Sequence, residues 1–527
     1  MTDRIVSVGD DLTIPSGVVV PAARVTDLLD VAASASQGAK ADAALPAASL
    51  DTSVDALVSD PGSATSAALS STIGAAVESS VPTGLGWAGP SITPALESTI
   101  IPGRRQVGGV GATPEEMFDA VSTARSAPGA TFYVTTTGSD SAAGTSWGTA
   151  FLTMSKAIQA ANATGVPTRI NVGPGIYARA GSPYNASTVP TVDIALIASG
   201  GRVNVGVFDL ITSSTLDGTY ANCYTYTLAN CDRVCDLTQR DRFGNYVDMR
   251  KVTSTAICNR TPNSWILTGG VLYVNRADGA AITTTNTRVY RTVTYAMAVT
   301  SAVNVFIGGN GYGAGFDFEG GSTSVIAFNQ GAGGATAAQK TVVVADSTIL
   351  YGTANGLSAE TWPGTVACFA TRADANGADG FNIHNAYAAP ASACRLLTVN
   401  CTARDNGRSG NSSCNGLTGH ETTRIVDVSG YYEANHGGTV AVVGSAKAYL
   451  IGTTVKDDLG DLMLGGTNPP SGVKVANTVE LWAERVTVDM PQGGLVWNAI
   501  DATSSVHRRN CPPVPAPDAG SGTFDTY

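Results

Sequence analysis

From Val303 onward the chain settles into a repeat of alternating apolar and polar positions. Each unit reads as an apolar strand, a polar Asn/Asp-Gly turn, a second apolar strand and another glycine turn. TVVVADSTILYGTANGLSAE and VACFATRADANGADGFNIHN are two such units. Glycines align at Gly356, Gly380, Gly416, Gly438, Gly460 and Gly494. The longer intervals carry an extra Gly407–Cys414 loop and an Asn-Pro-Pro-Ser insertion near Asn468. A period of roughly 22–24 residues with β-branched strands predicts coils of a parallel β-helix. Leucine-rich repeats share the period but need regular leucines, which are missing here. At a strand spacing of ~4.8 Å, about twelve coils between residues 200 and 500 would form a rod of roughly 60 Å.

Upstream the pattern changes. Ile5–Val8 and Val18–Val20 read as short strands. Val25, Leu28, Leu29 and Ala32 then fall at helical spacing, as do Leu50, Val54, Leu57 and Val58. Leu69, Ile73 and Val77 recur every four residues. These apolar faces are narrow, and short isolated helices are marginal in water. Each helix therefore needs a partner, most simply its copy in sister chains, which predicts a trimeric stem over residues 1–80. Residues 81–130 read as a Gly/Pro-rich linker followed by a helix. There Thr113 is the cap, Pro114 takes the first position, Glu116 reaches back, and the helix runs to about Arg125.

Residues 131–177 form an entry segment. Phe132-Tyr133-Val134 reads as a strand, Phe151 to Ala161 as a short helix, and Val172-Gly173-Pro174-Gly175-Ile176-Tyr177 as a turn into the first coil. This run resembles the opening of pectate-lyase-like right-handed β-helix proteins. The resemblance implies a helix over the open end of the stacked core, as repeat architectures require. The fold expected is mainly β: a right-handed parallel β-helix over 131–506 behind an N-terminal helical oligomerisation and attachment stem. Residues 178–300 are β-rich but irregular, with room for an inserted sheet, and 301–500 hold the regular coils. A Pro/Gly-rich tail over 507–527 reads as linker and flexible end.

Composition narrows the function. Only 14% of residues are charged, Gly occurs 60 times, and net charge is −11 with no basic stripe. Nucleic acid is therefore not an expected partner. The opening MTDRIVSVGDDLTIP lacks an apolar signal core, and no stretch of 18 apolar residues predicts a membrane span. Nine irregularly spaced cysteines read as buried free thiols, not as a disulfide framework or zinc knuckle. Asp457, Asp458 and Asp461 offer oxygen ligands without a full calcium-loop spacing. No metal and no cofactor is expected. Gly308 to Gly313 is glycine-rich but lacks the strand–helix context of a nucleotide site.

Glycine alignment places Phe381 beside Leu417 and His384 beside His420. It also stacks Asp374, Asp405 and Glu433. These five polar residues (Asp374, Asp405, His384, His420 and Glu433) are the candidate catalytic set. Arg404, Asp379, Glu421, Tyr432 and His436 are candidate glycan contacts, with Arg372 nearby. Tyr431, Trp362, Tyr387 and Trp482 are further candidates for stacking on sugars. Two carboxylates suit glycoside hydrolysis. A base with cations around a substrate carboxylate suits elimination. Turn formation and glycan binding without cleavage remain open beside both.

The layout is similar to a bacteriophage tail fibre or tailspike, and residues 37–77 are similar to the attachment segments of minor tail proteins. That resemblance implies a homotrimer whose N-terminal region docks on phage tail or baseplate proteins. It also implies location on the virion and a blade that meets host cell-surface polysaccharide. A polysaccharide lyase or glycoside hydrolase, on the virion or secreted, is the alternative.

Overall fold

The computed structural model describes residues 113–178, 189–310, 313–329, 339–385, 394–408, 414–456, 471–490, 495–512 and 518–526, together with the backbone of 12–13 and 19–20. Two units are distinguished, Met1–Trp87 and Ala88–Tyr527. In the first, Leu12–Thr13 pairs antiparallel with Val19–Val20. The expected strand over Ile5–Val8, the helices of the stem, and the Gly/Pro linker up to residue 112 lie outside the described residues. So do Tyr387, Asp457, Asp458, Gly460, Asp461 and Gly494.

The second unit is a parallel β-helix. Its coils stack into three parallel sheets, one of twelve strands and two of nine. A single coil shows the plan: Arg395–Val399 lies in the first sheet, Thr402–Arg404 in the second and Asn415–Gly419 in the third. The sequence predicts two strands per coil. The three-residue strand of the second sheet is too short to show an alternation of its own. Inward positions of all three sheets merge into one continuous apolar core from Val134 to Val506. Large aromatics such as Trp362, Phe316 and Phe318 sit within it.

Many corners among the described residues turn on one residue in the left-handed region. Asp346, Ala370, Asn400, Ser429 and Arg485 bend the chain between first and second sheets. Tyr351, Ala375, Asp405 and Ala434 bend it between second and third. A non-glycine residue resists this conformation. Stacking compensates, because the backbone ladder runs straight through the corner: Asp346 N donates to Phe369 O, Ala370 N to Val399 O and Asn400 N to Val428 O.

Inside the second corner runs a column of buried asparagines. Asn376 Nδ2 donates to Asn406 Oδ1 at 3.0 Å, and Asn406 Nδ2 to Asn435 Oδ1 at 2.8 Å. The aligned glycines owe their identity to this column. A Cβ on Gly356, Gly380 or Gly416 would lie 2.7, 2.9 or 2.8 Å from the amide nitrogen of Asn376, Asn406 or Asn435. The glycines therefore open strands of the third sheet and make room for the asparagines; they are not turn residues. Gly438 is one residue out of column. It pairs with Asn415, so the column passes through Thr439 to Gly472.

Between Arg202–Gly206 and Met297–Val299 the chain leaves the solenoid. Ile194–Ser199 nevertheless pairs directly with Val305–Asn310, and Arg202–Gly206 with Gly315–Glu319. The excursion is thus an insert in one coil that leaves the stacking uninterrupted. It contains sheets of four and five strands, mostly antiparallel, with a core that includes Trp265, Leu272 and Val289. Between residues 200 and 500 the first sheet consequently has seven strands, from Val305–Asn310 to Glu480–Glu484, and the expected twelve coils are not reached there.

Three further expectations change. Pro114–Asp119 has the expected capping box at Thr113, but it ends well before Arg125. Phe118 packs on Phe306 of the first sheet at 5.5 Å, so this helix lies on the side of the solenoid. Met154–Thr164 is the helix whose Met154, Ala157, Ile158 and Ala161 join the solenoid core beside its first strands. Leu152, expected on that helix face, is 42% exposed. At the other end, Ser505–Arg509, Ala519–Gly520 and Thr523–Thr526 continue the sheets. The described residues of 507–527 thus add strands to the solenoid, where a free tail was expected. The nine cysteines carry no disulfide, and all but Cys511 are buried. Among the described residues no helix is long and apolar enough to cross a membrane.

Candidate functional site

Two members of the predicted carboxylate ladder, Asp374 and Asp405, belong to a structural joint. Asp374 is fully buried, and its Oδ2 accepts from Arg404 Nε at 3.0 Å and Nη2 at 2.7 Å. Burial pushes its carboxyl up, against the pull of Arg372 and Arg404. Asp405 is one position off the expected stack, because it occupies the left-handed corner. The residue paired with Glu433 is Arg404. Glu433 accepts from the Tyr431 hydroxyl at 3.1 Å. Tyr432 faces the core with 0% exposure and donates its hydroxyl to Asp427, so it cannot meet a glycan. Trp362 and Trp482, also proposed to stack on sugars, are buried as well.

The inserted domain covers this corner. Arg408 reaches three carboxylates: Asp405 on its own coil, and Asp241 (2.7 Å) and Asp248 (3.1 Å) on the insert. His436 Nε2 lies 3.3 Å from Asp405 Oδ1. Burial alone would raise Asp405, but His436 and Arg408 outweigh it and hold the carboxyl below its usual range. Arg233 Nη1 donates to Ala375 O, and Arg372 Nη2 to Asn245 Oδ1. Arg404 lies over the Phe243 ring. Sequence reasoning missed Arg408, Asp241 and Asp248, whose separation of 160 residues or more leaves no local signal.

The histidines are assembled differently. Phe381 pairs with Leu417 as the glycine alignment predicts, so His384 and His420 are neighbours on adjacent coils. Their rings stack at 3.8 Å and 9°. His384 Nδ1 lies 3.2 Å from Glu421 Oε1, and Asn385 N donates to Glu421 Oε2 at 2.8 Å. Burial, reinforced by His384 and opposed by Glu421, pushes His420 down to about 4.

Asp379 lies beneath, 6% exposed, accepting from Asn415 N and from Asn382 Nδ2. Burial pushes its carboxyl up to about 6, against its hydrogen bonds and His384. A raised folded pKa means the native state binds the extra proton between about pH 4 and 6, so this group favours folding as pH falls and penalises it above pH 6. Asp379→Asn is expected to stabilise the protein at pH 8 by about 1–3 kcal/mol and to give no gain at pH 4. The Asn382 amide, whose Oδ1 lacks a partner, can flip to accept the new amide group. Denaturation midpoints at the two pH values check this, and a loss of stability at pH 8 would refute it.

Part of the outer wall of the second sheet stays partly exposed, although Arg372 within it also donates to Asn245 of the insert. Asn204, Asp317, Thr348, Arg372, Thr402, Tyr431, Thr454 and Thr487 form one outward column across successive coils. Arg202 pairs with Asp317, and Thr348 donates to Asp317 at 2.6 Å. A groove of about 550 Å³ runs here, lined by Arg202, Asp317, Asp346, Ser347, Thr348 and Arg372 among others. Burial and Glu115 raise the Asp346 carboxyl, against Arg202.

No family model and no curated protein matches the chain. Among solved structures, the chain is similar to a complex of XylC with xylose, at 10% identity over 75% of this chain and 70% of that one, with a TM-score of 0.44. It is also similar to a glycoside hydrolase, at 8% identity over 75% and 96%, TM-score 0.46. A third likeness is to the tailspike protein gp49 of Pseudomonas phage LKA1, at 13% identity over 70% and 71%, TM-score 0.24. Likenesses this distant assign neither a residue role nor an activity. The chain is a parallel β-helix protein by its own strand pairing.

Proposed function

We propose that this protein attaches to a surface polysaccharide through the outer wall of its second sheet, as a tail fibre or tailspike subunit of a phage virion. The observation that carries the reading is the outward polar column from Asn204 to Thr487, with the groove at Arg202, Asp317 and Arg372 along it. Its pitch is the strand spacing of ~4.8 Å, comparable to one sugar unit, so successive sugars meet equivalent positions on successive coils. Asp374 and Asp405 of the predicted acid ladder are tied into the insert joint, which favours binding over cleavage. The Ala/Ser-rich text before residue 80 supports a homotrimer docked on tail proteins by its N-terminal region.

A second reading rests on Asp346. A carboxyl raised by its surroundings, in one groove with the Arg202-paired Asp317, has the makings of an acid and its partner for glycoside hydrolysis.

Titration with purified host envelope polysaccharide tests both. Saturable binding is expected, weakened about tenfold or more by Arg372→Ala and by Tyr431→Ala, with no release of reducing ends. Undiminished binding by both variants would overturn the assignment of the wall. Turnover lost in Asp346→Asn would establish the hydrolase. Light scattering on the same full-length sample is expected to give three chains, and a monomer would remove the trimer.

A further inference from the structure

We propose that His384, His420 and Glu421 form a site for a single divalent transition-metal ion, Zn2+ being the natural occupant, that joins two consecutive coils and leaves a position open to solvent. The site does not depend on the glycan reading.

The geometry has three parts. One ligand atom from each residue lies within 4.8 Å of the other two. The 3.2 Å between His384 Nδ1 and Glu421 Oε1 is close to the roughly 3.4 Å between two ligands bound tetrahedrally at ~2.1 Å. The two imidazoles stack face to face, 3.8 Å apart and within 9° of parallel, so adjacent coils hold them side by side and one ring must tilt for both nitrogens to reach one ion. A tilt of one ring and rotation of the Glu421 side chain would bring the third ligand to bonding distance.

The surroundings fix the ligands. His384 ends a strand of the third sheet, and His420 follows the paired strand one coil on. His420 N donates to Ile383 O, which sets the position of the second ring. Glu421 is held in the left-handed region at φ 51°, and Asn385 N–H fixes its other oxygen. Asn385 is 2% exposed; its Nδ2 donates to Thr422, and its Oδ1 has no partner among the described residues. An outer shell of this kind orients metal ligands. His384 and Glu421 side chains are 31% and 43% exposed, so an ion has access and a coordination position remains for water.

The donor set selects the ion. Two imidazoles and one carboxylate with an open fourth position is a zinc-type set. Calcium needs six to eight oxygens, and magnesium mostly oxygens with retained water. Imidazole nitrogens suit Zn2+, Cu2+ or Ni2+. The other two histidines are not arranged this way. His436 pairs with Asp405 and His507 with Asp525, each as a single imidazole on a single carboxylate.

The test is calorimetric titration of chelator-treated, tag-free, full-length protein with ZnCl2 at neutral pH. One strong site per chain is expected. His384→Ala and His420→Ala should each weaken it about tenfold or more, whereas His507→Asn should leave it unchanged. Glu421→Gln keeps an acceptor for Asn385 N–H and so preserves the local fold; it should weaken the site as well, and it decides the matter if either alanine variant fails to fold. Co2+ should give a ligand-field spectrum that Zn2+ abolishes. The absence of saturable binding, or binding undiminished in Glu421→Gln or in the double histidine variant, would overturn the proposal.

Discussion

Arg408→Ala is expected to free the inserted domain from the solenoid and to cost about 3–5 kcal/mol, the range for removing one member of a buried charge cluster. Arg408 faces Asp405, Asp241 and Asp248 together, and its side chain is 12% exposed. Without it, three carboxylates share a space with Arg233 beside Asp248 and the His436 imidazole beside Asp405. The native state then protonates one carboxyl or separates the insert from the wall. The second outcome exposes Phe208, Cys235, Tyr290 and Tyr351, which are packed between insert and coil. Limited proteolysis should cleave the variant within residues 208–290 while the solenoid survives; an unchanged digest and melting profile would refute the joint. Acid should act on the wild type in the same direction. Asp405 titrates below its usual range, so its contribution to stability is present above about pH 4 and is lost as pH falls through the depressed folded value.

Asn406→Ala should have a comparable effect through hydrogen bonding alone. Asn406 Oδ1 accepts from Asn376 N and Nδ2, and Asn406 Nδ2 donates to Ala373 O and Asn435 Oδ1. Alanine orphans the Asn376 amide hydrogen and the Ala373 carbonyl in a corner that water does not reach. At about 1–3 kcal/mol per orphaned group, the expected cost is roughly 3–5 kcal/mol. The neighbouring coils share the column, so the loss should spread to Gly380, which packs against the Asn406 amide. Asn406→Asp should not rescue stability, because a carboxylate cannot donate to Ala373 O. Unfolding rates in denaturant measure the effect. Wild-type kinetics in both variants would show that the column is incidental.

The candidate site was only partly legible. His384 and His420 could be paired from sequence because both follow an alternating apolar strand of fixed phase, and a parallel ladder converts equal phase into adjacency. The same reasoning failed for Asp374, Asp405 and Tyr432. Single left-handed residues at the corners shift the phase by one position, and the sequence does not mark them. Alternation also cannot say which face a partner covers. Asp374 and Arg404 sit on the outside of a strand, yet the insert makes that outside an interior.

By itself the sequence determined the repeat, the three-dimensional adjacency of successive coils, the capping box at Thr113 and the entry at Phe132. Each depends on contacts between residues near in sequence or one period apart, so each leaves a periodic or local trace. Tertiary structure alone decided where the insert lies, which carboxylates it neutralises and which wall stays open to solvent. Those outcomes rest on ion pairs such as Arg408–Asp241 between chain segments with no shared period, and on burial that a covering domain imposes from outside the repeat.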